Sequence, residues 1–223
     1  GTKAPSIVPP ASGYFRQGAQ ADLELTITDA GSGVDETKVR VEYPGGSSGC
    51  AKQGETQYRC TVAVSGGSSL QLGFRAEDKV GNQATQSMTL QVDGTPPTVT
   101  SAADSKFYGG AETLVVDVTV TDAQSGPSTG VAPTLRFALA GSPLLTGVSH
   151  GGNTWRFSAP VGDVLAGLAN VTIVDLAATV TARDAVGNET VNETAVKRSF
   201  DLQAPTVSNA AFVYPDAPIE ASM

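Results

Sequence analysis

Apolar and polar side chains alternate along much of this chain. Between residues 22 and 28, Leu23, Leu25 and Ile27 share one face, and polar residues occupy the other. A period of two residues predicts a half-buried antiparallel strand rather than a helix. The same alternation predicts four further strands in the first half of the chain, at residues 38–43, 59–64, 69–74 and 87–92.

The second half shows the same pattern. We expect strands at residues 114–120, 134–139, 154–157, 170–183 and 193–202. Residues 162–169 are interrupted by glycine and predict a loop or one brief helical turn. Clusters of Gly, Ser and Asp separate the strands, as turns between short strands require.

The chain also repeats itself. Residues 75–82 (RAEDKVGN) return as residues 181–188 (TARDAVGN), and the Pro-Thr-Val opening at residues 97–99 returns at residues 205–207. Ordered signals at matching spacing indicate a duplicated domain. We therefore expect one domain at residues 1–94 and another at 95–203, with residues 204–223 as a linker and the start of a third repeat, so that the chain is a fragment of a longer exported protein.

The strand content and the repeats together predict the architecture. Six or seven short strands with turns, in about 100 residues, are typical of an immunoglobulin-type sandwich. The predicted fold class is all-β, with two tandem immunoglobulin-like β-sandwiches arranged end to end. Only residues 94–97 join them, and so short a proline-rich link does not let one domain fold back beside the other.

These features resemble bacterial Ig-like repeats, the modules found in tandem in bacterial surface proteins, adhesins and extracellular enzymes. The resemblance is carried by residues 96–99 (PPTV), 29–34 (DAGSGV) and the Asp-x-Val-Gly-Asn turns at 78–82 and 184–188, and it extends from Ala4 to about Leu202. It implies a spacer, stalk or binding module. The two cysteines are not part of the general pattern.

Charge narrows the range of partners. The formal net charge is −8, with 22 acidic against 14 basic residues. Nucleic-acid binding requires clustered Lys and Arg, so we expect no nucleic-acid partner, and anionic membrane surfaces are also disfavoured. No stretch approaches the roughly 20 apolar residues of a membrane-spanning helix, so we expect no direct membrane insertion.

The two cysteines, Cys50 and Cys60, flank a polar turn between two predicted strands. We expect a disulfide that closes this hairpin, which would indicate an oxidising compartment. The alternative is two free thiols in a cytosolic protein. A metal site is a poor explanation, because no further Cys or His completes the ligand set.

Three aspartates are candidates for a metal site. In an Ig-type sandwich the B–C and F–G loops meet at one end, beside the start of the first strand. Asp122 and Asp184 fall on these loops of the second domain, and Asp93 falls on the linker that arrives from the first. Calcium prefers such oxygen ligands, so these aspartates form a candidate calcium site at the join. The alternative is three solvated turn aspartates.

No catalytic residue is predicted. The single histidine, His150, lies in a glycine-rich loop, and no Gly-x-Ser-x-Gly motif accompanies it. Trp155, the only tryptophan, shares a strand face with Phe157 and is interpreted as a core residue, with a sugar platform as the alternative.

The preferred function is a non-catalytic extracellular spacer or adhesion module of a bacterial cell-surface or secreted protein. Its partners would be an unidentified protein or glycan ligand and neighbouring Ig-like repeats of a longer chain. The alternative is an accessory binding or spacer region of an exported bacterial enzyme whose catalytic domain lies elsewhere. A eukaryotic receptor ectodomain is a third class, but the paired inter-sheet cysteines of antibody-like domains are missing.

Overall fold

The computed structural model describes residues 2–166, 168 and 173–203. The proposed start of a third repeat, at residues 204–223, lies outside the described residues. The strands in the first half are β1 Ser6–Val8, β2 Tyr14–Arg16, β3 Gln20–Thr28, β4 Arg40–Tyr43, β5 Gly46–Gly49, β6 Ala51–Lys52, β7 Gln57–Ala63, β8 Ser69–Glu77 and β9 Gln83–Asp93. Those in the second half are β10 Thr98–Ser101, β11 Phe107–Tyr108, β12 Thr113–Thr121, β13 Thr134–Phe137, β14 Leu145–Thr146, β15 Val148–Ser149, β16 Thr154–Pro160, β17 Ile173–Arg183 and β18 Glu189–Asp201.

Each half builds its own pair of sheets, with the same strand order. In the first sandwich the orders are β1-β3-β7-β6 and β2-β9-β8-β4-β5. In the second they are β10-β12-β16-β15 and β11-β18-β17-β13-β14. Each strand of the second sandwich has a counterpart at the same place in the sheets of the first. The arrangement is that of an immunoglobulin-like sandwich. The predicted all-β class and the tandem of two Ig-like sandwiches are confirmed.

The alternating pattern explains which faces meet. On β3 the predicted inward residues Leu23, Leu25 and Ile27 are each about 1% exposed, and their polar neighbours point away from the core. On β12 the equivalent inward residues, Leu114 to Val120 in steps of two, are equally buried. Each sandwich therefore has a separate apolar core between its two sheets.

Most observed strands differ by a few residues from their predicted bounds, and two of them, predicted at 38–43 and 134–139, are each two residues shorter. The strand predicted at residues 38–43 begins at Arg40, because Glu36–Lys38 form a 3-10 turn. The side chain of Asp35 caps this turn by accepting the backbone N–H of Thr37 at 3.0 Å. The strand expected at 134–139 ends at Phe137. The segment expected as a loop or brief helix contains one short helix, α1, at Val161–Val164.

The cysteines lie where the chain crosses between the sheets of the first sandwich. Cys50 follows β5 and precedes β6, Cys60 lies on β7, and the two are joined by a disulfide with 4.3 Å between their Cα atoms. The equivalent crossing in the second sandwich uses Gly147 and Phe157 instead. Cys50 N–H donates to the Val39 carbonyl at 3.0 Å, and Gly147 N–H donates to the Pro133 carbonyl at 2.9 Å.

A covalent bond and an aromatic ring therefore occupy the same place in the two sandwiches. A Cβ added at Gly147 would stand 3.1 Å from the Phe157 ring, so the ring fills the space directly above the glycine. Phe157 is fully buried, as is Cys60. Either a disulfide or the packing of a phenyl ring on glycine therefore fixes this crossing to the neighbouring strand.

The sandwiches follow one another end to end. Residues 94–97 run from β9 directly into β10. The last strand of the first sandwich there meets the loops after β12 and β17 of the second. None of the helices that the structure describes has the length and hydrophobicity of a membrane-spanning segment.

Candidate functional site at the join

The structure brings together the three aspartates at the join. Asp93 ends β9, Asp122 follows β12 and Asp184 follows β17. One carboxylate oxygen of each lies within 4.8 Å of the others. Asp93 and Asp184 are at most 1% exposed, and Asp122 is half-buried. The three residues expected to converge do so, whereas calcium binding itself stays a prediction.

Asp122 is held by its own loop. Its Oδ1 atom accepts the backbone N–H groups of Gln124 and Gly126, both at 2.9 Å. Gly126 has a φ of 81°, which favours glycine, because a side chain in this left-handed region is strained. With Oδ1 engaged in this way, the carboxylate is oriented before any ligand arrives.

Asp184 is held by the repeated Val-Gly-Asn turn. Its Oδ1 accepts the backbone N–H groups of Val186 and Asn188 at 3.0 and 2.8 Å. Its Oδ2 accepts the side-chain amide of Asn188 at 2.7 Å. Asp184 therefore accepts hydrogen bonds from its own turn and fixes the conformation of that turn. A hydrogen bond of 2.8 Å from the Ala185 N–H to the Gly126 carbonyl ties this turn to the Asp122 loop.

Asp93 belongs to the first sandwich and contributes its carboxylate to the site. Its Oδ1 accepts the Thr95 N–H at 2.9 Å, and its Oδ2 accepts the Ser125 N–H at 3.1 Å. Burial alone would raise the pKa of Asp93, but hydrogen bonds from Ser125 and Thr95 outweigh it and lower the pKa below its usual value. The carboxylate is therefore ionised at neutral pH, with one oxygen held by the linker and the other by the second sandwich.

Further side chains connect the two sandwiches directly. Asn188 donates its side-chain amide to the Asp93 carbonyl at 3.2 Å and accepts the Arg16 Nε–H at 3.2 Å. The Gln124 amide donates to the Val92 carbonyl at 3.3 Å. Sequence reasoning singled out the Val-Gly-Asn turn but missed these contacts. Asn188 carried a signal, because it repeats Asn82, but Arg16 and Gln124 carried none.

Among the described residues, no lysine, arginine or histidine forms an ion pair with the three aspartates. The ion pairs found in residues 2–166, 168 and 173–203 include none of the three aspartates. Gln124 Oε1, in the same loop as Asp122, is buried and has no hydrogen-bond partner in this part of the chain. Clustered carboxylates repel one another, so the arrangement favours a bound cation with oxygen ligands.

The first sandwich contains an internal comparison. Asp29 and Asp78 take the places of Asp122 and Asp184, and each accepts two backbone N–H groups of its own turn. Where the second sandwich has Ala185, the first has Lys79, whose N–H donates to the Gly33 carbonyl at 3.0 Å. The Lys79 side chain lies against Gly33, with its Nζ 3.6 Å from the position of an added Cβ. A protein cation is thus present near the first set of loops.

The remaining candidates lie away from this site. His150 is exposed, in the loop between β15 and β16. Trp155 is partly buried and packs against the core of the second sandwich, as its strand position predicted. It lies opposite Val118, which is fully buried, so its indole is not a surface platform.

The sequence matches no protein-family model and no curated protein. Among solved structures, fibronectin(III)-like modules of Clostridium thermocellum CbhA are similar over 89% of this chain and 94% of theirs, with 15% identity and a TM-score of 0.43. An R347E mutant of the SrpA adhesin from Streptococcus sanguinis is similar over 87% and 96%, with 14% identity and a TM-score of 0.37. The N-terminal Ig1-2 module of the Drosophila receptor tyrosine phosphatase DLAR is similar over 91% and 100%, with 10% identity and a TM-score of 0.35. Similarities this weak carry no conclusion about function.

Proposed function

We propose that this chain is a non-catalytic extracellular spacer or adhesion segment of a bacterial surface or secreted protein, with residues 1–94 and 95–203 as two domains in a fixed relative orientation. The observation that carries the proposal is the hydrogen-bonded join. Asn188 bonds both to Arg16 and to the Asp93 carbonyl, and it is only 6% exposed. Buried hydrogen bonds are costly to break, so they resist bending. The disulfide supports an oxidising compartment.

Small-angle X-ray scattering tests the fixed orientation. Two units of about 13 Å radius of gyration, with centres about 40 Å apart along the strand direction, give a radius near 24 Å, against about 17 Å for a compact globule of this length. We expect the larger radius of gyration. We also expect that a narrow distribution of maximum particle dimensions fits the scattering curve. Arg16→Met should broaden that distribution, because it removes a bond across the join and leaves both cores intact.

Arg59→Met is the matched control, because Arg59 pairs with Glu24 on an exposed face of the first sandwich, within one domain. It should leave the scattering profile unchanged. A wild-type radius near 17 Å, or identical profiles for wild type and Arg16→Met, would contradict the proposal of a rigid tandem.

We also propose that Ca²⁺ binds to Asp93, Asp122 and Asp184 and stiffens the join. The residues fit the ion: they supply three clustered carboxylates, and Gln124 Oε1, in the same loop as Asp122, is buried without a partner in the described chain. Calcium takes about 6–8 oxygen ligands, so backbone oxygens and water would complete the set. When bound, the ion would neutralise charge that no ion pair balances among the described residues.

Isothermal titration calorimetry with CaCl₂ tests the ion. Asp122→Asn retains an oxygen that can accept the two backbone N–H groups but removes the charge, so we expect it to abolish saturable heat. Asp29→Asn, the equivalent change in the first sandwich, should leave the heat intact. No saturable heat with the wild type, or equal loss in both variants, would show that the three aspartates are ordinary turn residues.

A further inference from the structure

A second polar site lies on the second sandwich, away from the join. A cavity of about 370 Å³ lies beside β17 and β18, and the side chains that carry its chemistry are those of Asp104, Asp175, Lys197, Arg198 and Ser199. Ligand pockets have volumes of about 300–1,000 Å³, so this one is large enough for a small ligand or one portion of a longer chain.

Arg198 is the unusual member of this set. It is 5% exposed and lies at an inward position of β18, between Val196 and Phe200, which are both fully buried. Its Nε lies 3.3 Å from Asp104 Oδ2 and has no aligned hydrogen-bond acceptor in the described chain, while Nη1 donates to the Lys197 carbonyl at 2.7 Å. A buried guanidinium is costly unless its charge is paired, and here Asp104 supplies that counter-charge.

The partner carboxylate is fixed in position by the protein. Asp104 Oδ2 accepts the Tyr108 hydroxyl at 2.7 Å, and Asp104 Oδ1 accepts the Lys106 N–H at 2.9 Å. The hydrogen bond from Tyr108 is the main reason that the pKa of Asp104 lies below its usual value, so the group is ionised at neutral pH. The Arg198 guanidinium and the Asp104 carboxylate are thus held next to each other before a ligand binds.

The fold does not require this charged set. Phe15 pairs with Val92 in the first sandwich, and Tyr108 pairs with Phe200 in the second. Val92 and Phe200 are therefore counterparts. The residues two positions earlier, Leu90 and Arg198, are counterparts as well. Leu90 is fully buried, as an inward position of this strand favours. The second sandwich therefore holds an arginine where the same architecture packs well with leucine, which indicates a role beyond folding.

An exposed aromatic ring lies next to the cavity. Phe107 is 55% exposed and pairs across β11 and β18 with Ser199, which in turn pairs with Asp175 on β17. Directly opposed residues of neighbouring strands project from the same face of a sheet. Phe107, Ser199 and Asp175 therefore form one row across three strands, with the ring at one end and the carboxylate at the other.

We propose that this row and the adjoining cavity bind a neutral oligosaccharide. Lys197 and Arg198 balance Asp104 and Asp175, so neither an acidic nor a basic partner is favoured by charge. A sugar offers hydroxyl groups that both donate and accept hydrogen bonds, which matches a lining of carboxylates, a hydroxyl and N–H donors. The apolar face of a sugar ring packs against an exposed phenyl ring. This binding does not depend on the rigid join or on calcium.

A printed array of neutral and acidic oligosaccharides, probed with the fluorescently labelled chain, is the first test. We expect binding to a subset of neutral glycans. For those glycans, Phe107→Ala and Asp175→Asn should each weaken the measured affinity at least tenfold. Tyr14→Ala, the exposed aromatic at the counterpart position of the first sandwich, is the matched control and should bind like the wild type.

Arg198→Leu installs the residue of the first sandwich, and its melting temperature reports whether the fold survives. A folded Arg198→Leu variant that no longer binds supports the proposal. The absence of neutral-glycan binding by the wild type, binding to acidic glycans alone, or unchanged affinity in Phe107→Ala would each overturn it.

Discussion

Replacing both cysteines by alanine should destabilise the first sandwich and leave the second unchanged. The bond joins positions ten residues apart, so it closes a loop of about 11 residues. Loop-closure entropy for that length stabilises the folded state by about 2.8 kcal/mol. Cys60 is fully buried, so the missing sulfur atoms leave a cavity that adds about 1–2 kcal/mol. The expected loss is about 4–5 kcal/mol, a large share of the stability of a small domain.

Two spectroscopic probes allow this loss of stability to be assigned to one sandwich. Trp155, the only tryptophan, packs against the core of the second sandwich, whereas far-ultraviolet circular dichroism reports strands in both. In urea, with a slope of about 2 kcal/mol per molar, the dichroism transition of the first sandwich should move down by about 2 M. The Trp155 fluorescence midpoint should not move.

A control separates the loss of the bond from the loss of packing. Cys50→Gly with Cys60→Phe installs the pair that the second sandwich uses, and it should recover the packing part while the entropic part of about 2.8 kcal/mol stays lost. A loss below about 1 kcal/mol in the double-alanine variant, or an equal shift of the Trp155 midpoint, would refute the reasoning.

Three further outcomes follow from individual residues. Burial would raise the pKa of Asp78, but hydrogen bonds from its turn lower the pKa to about 2 from 3.8. The stability that this shift gives is present above pH 3.8 and is lost as pH falls towards 2. Asp78→Asn should therefore flatten that part of the profile of urea stability against pH. Gly147→Ala places a Cβ 3.1 Å from Phe157 and should cost about 1–3 kcal/mol, read from the Trp155 transition. The Asp117–Arg156 pair is bidentate at 2.7–2.8 Å but half exposed, so Asp117→Asn should cost less than about 1 kcal/mol, and less still in 1 M NaCl.

The sequence was sufficient for features that depend on local pattern. Alternation of apolar residues set the strand faces, because only one register buries Leu23, Leu25 and Ile27 together. The convergence of Asp93 with Asp122 was also foreseeable, because an Ig-type fold places particular loops at one end of the sandwich. These inferences needed the topology and no side-chain coordinates.

Contacts between the sandwiches were not foreseeable from the same information. The hydrogen bond from Arg16 to Asn188 depends on the angle between two rigid units, and that angle is set by several contacts acting together. Arg198 is a different case, because a charged residue in an otherwise apolar inward series of β18 is visible in the sequence. An arginine at a position that burial reserves for apolar side chains was the signal for the second candidate site.

The duplication separates what the fold needs from what this chain adds. Cys50 and Gly147 occupy one position, as do Leu90 and Arg198, and the strand order is the same on both sides of each comparison. A residue that differs between two copies of one architecture is not dictated by that architecture. Arg198, beside the cavity, is a position where the copies diverge from leucine to a buried charge, and the polar contacts across the join are a second such feature. Those two places, rather than the shared cores, are where experiments on function have the most to reveal.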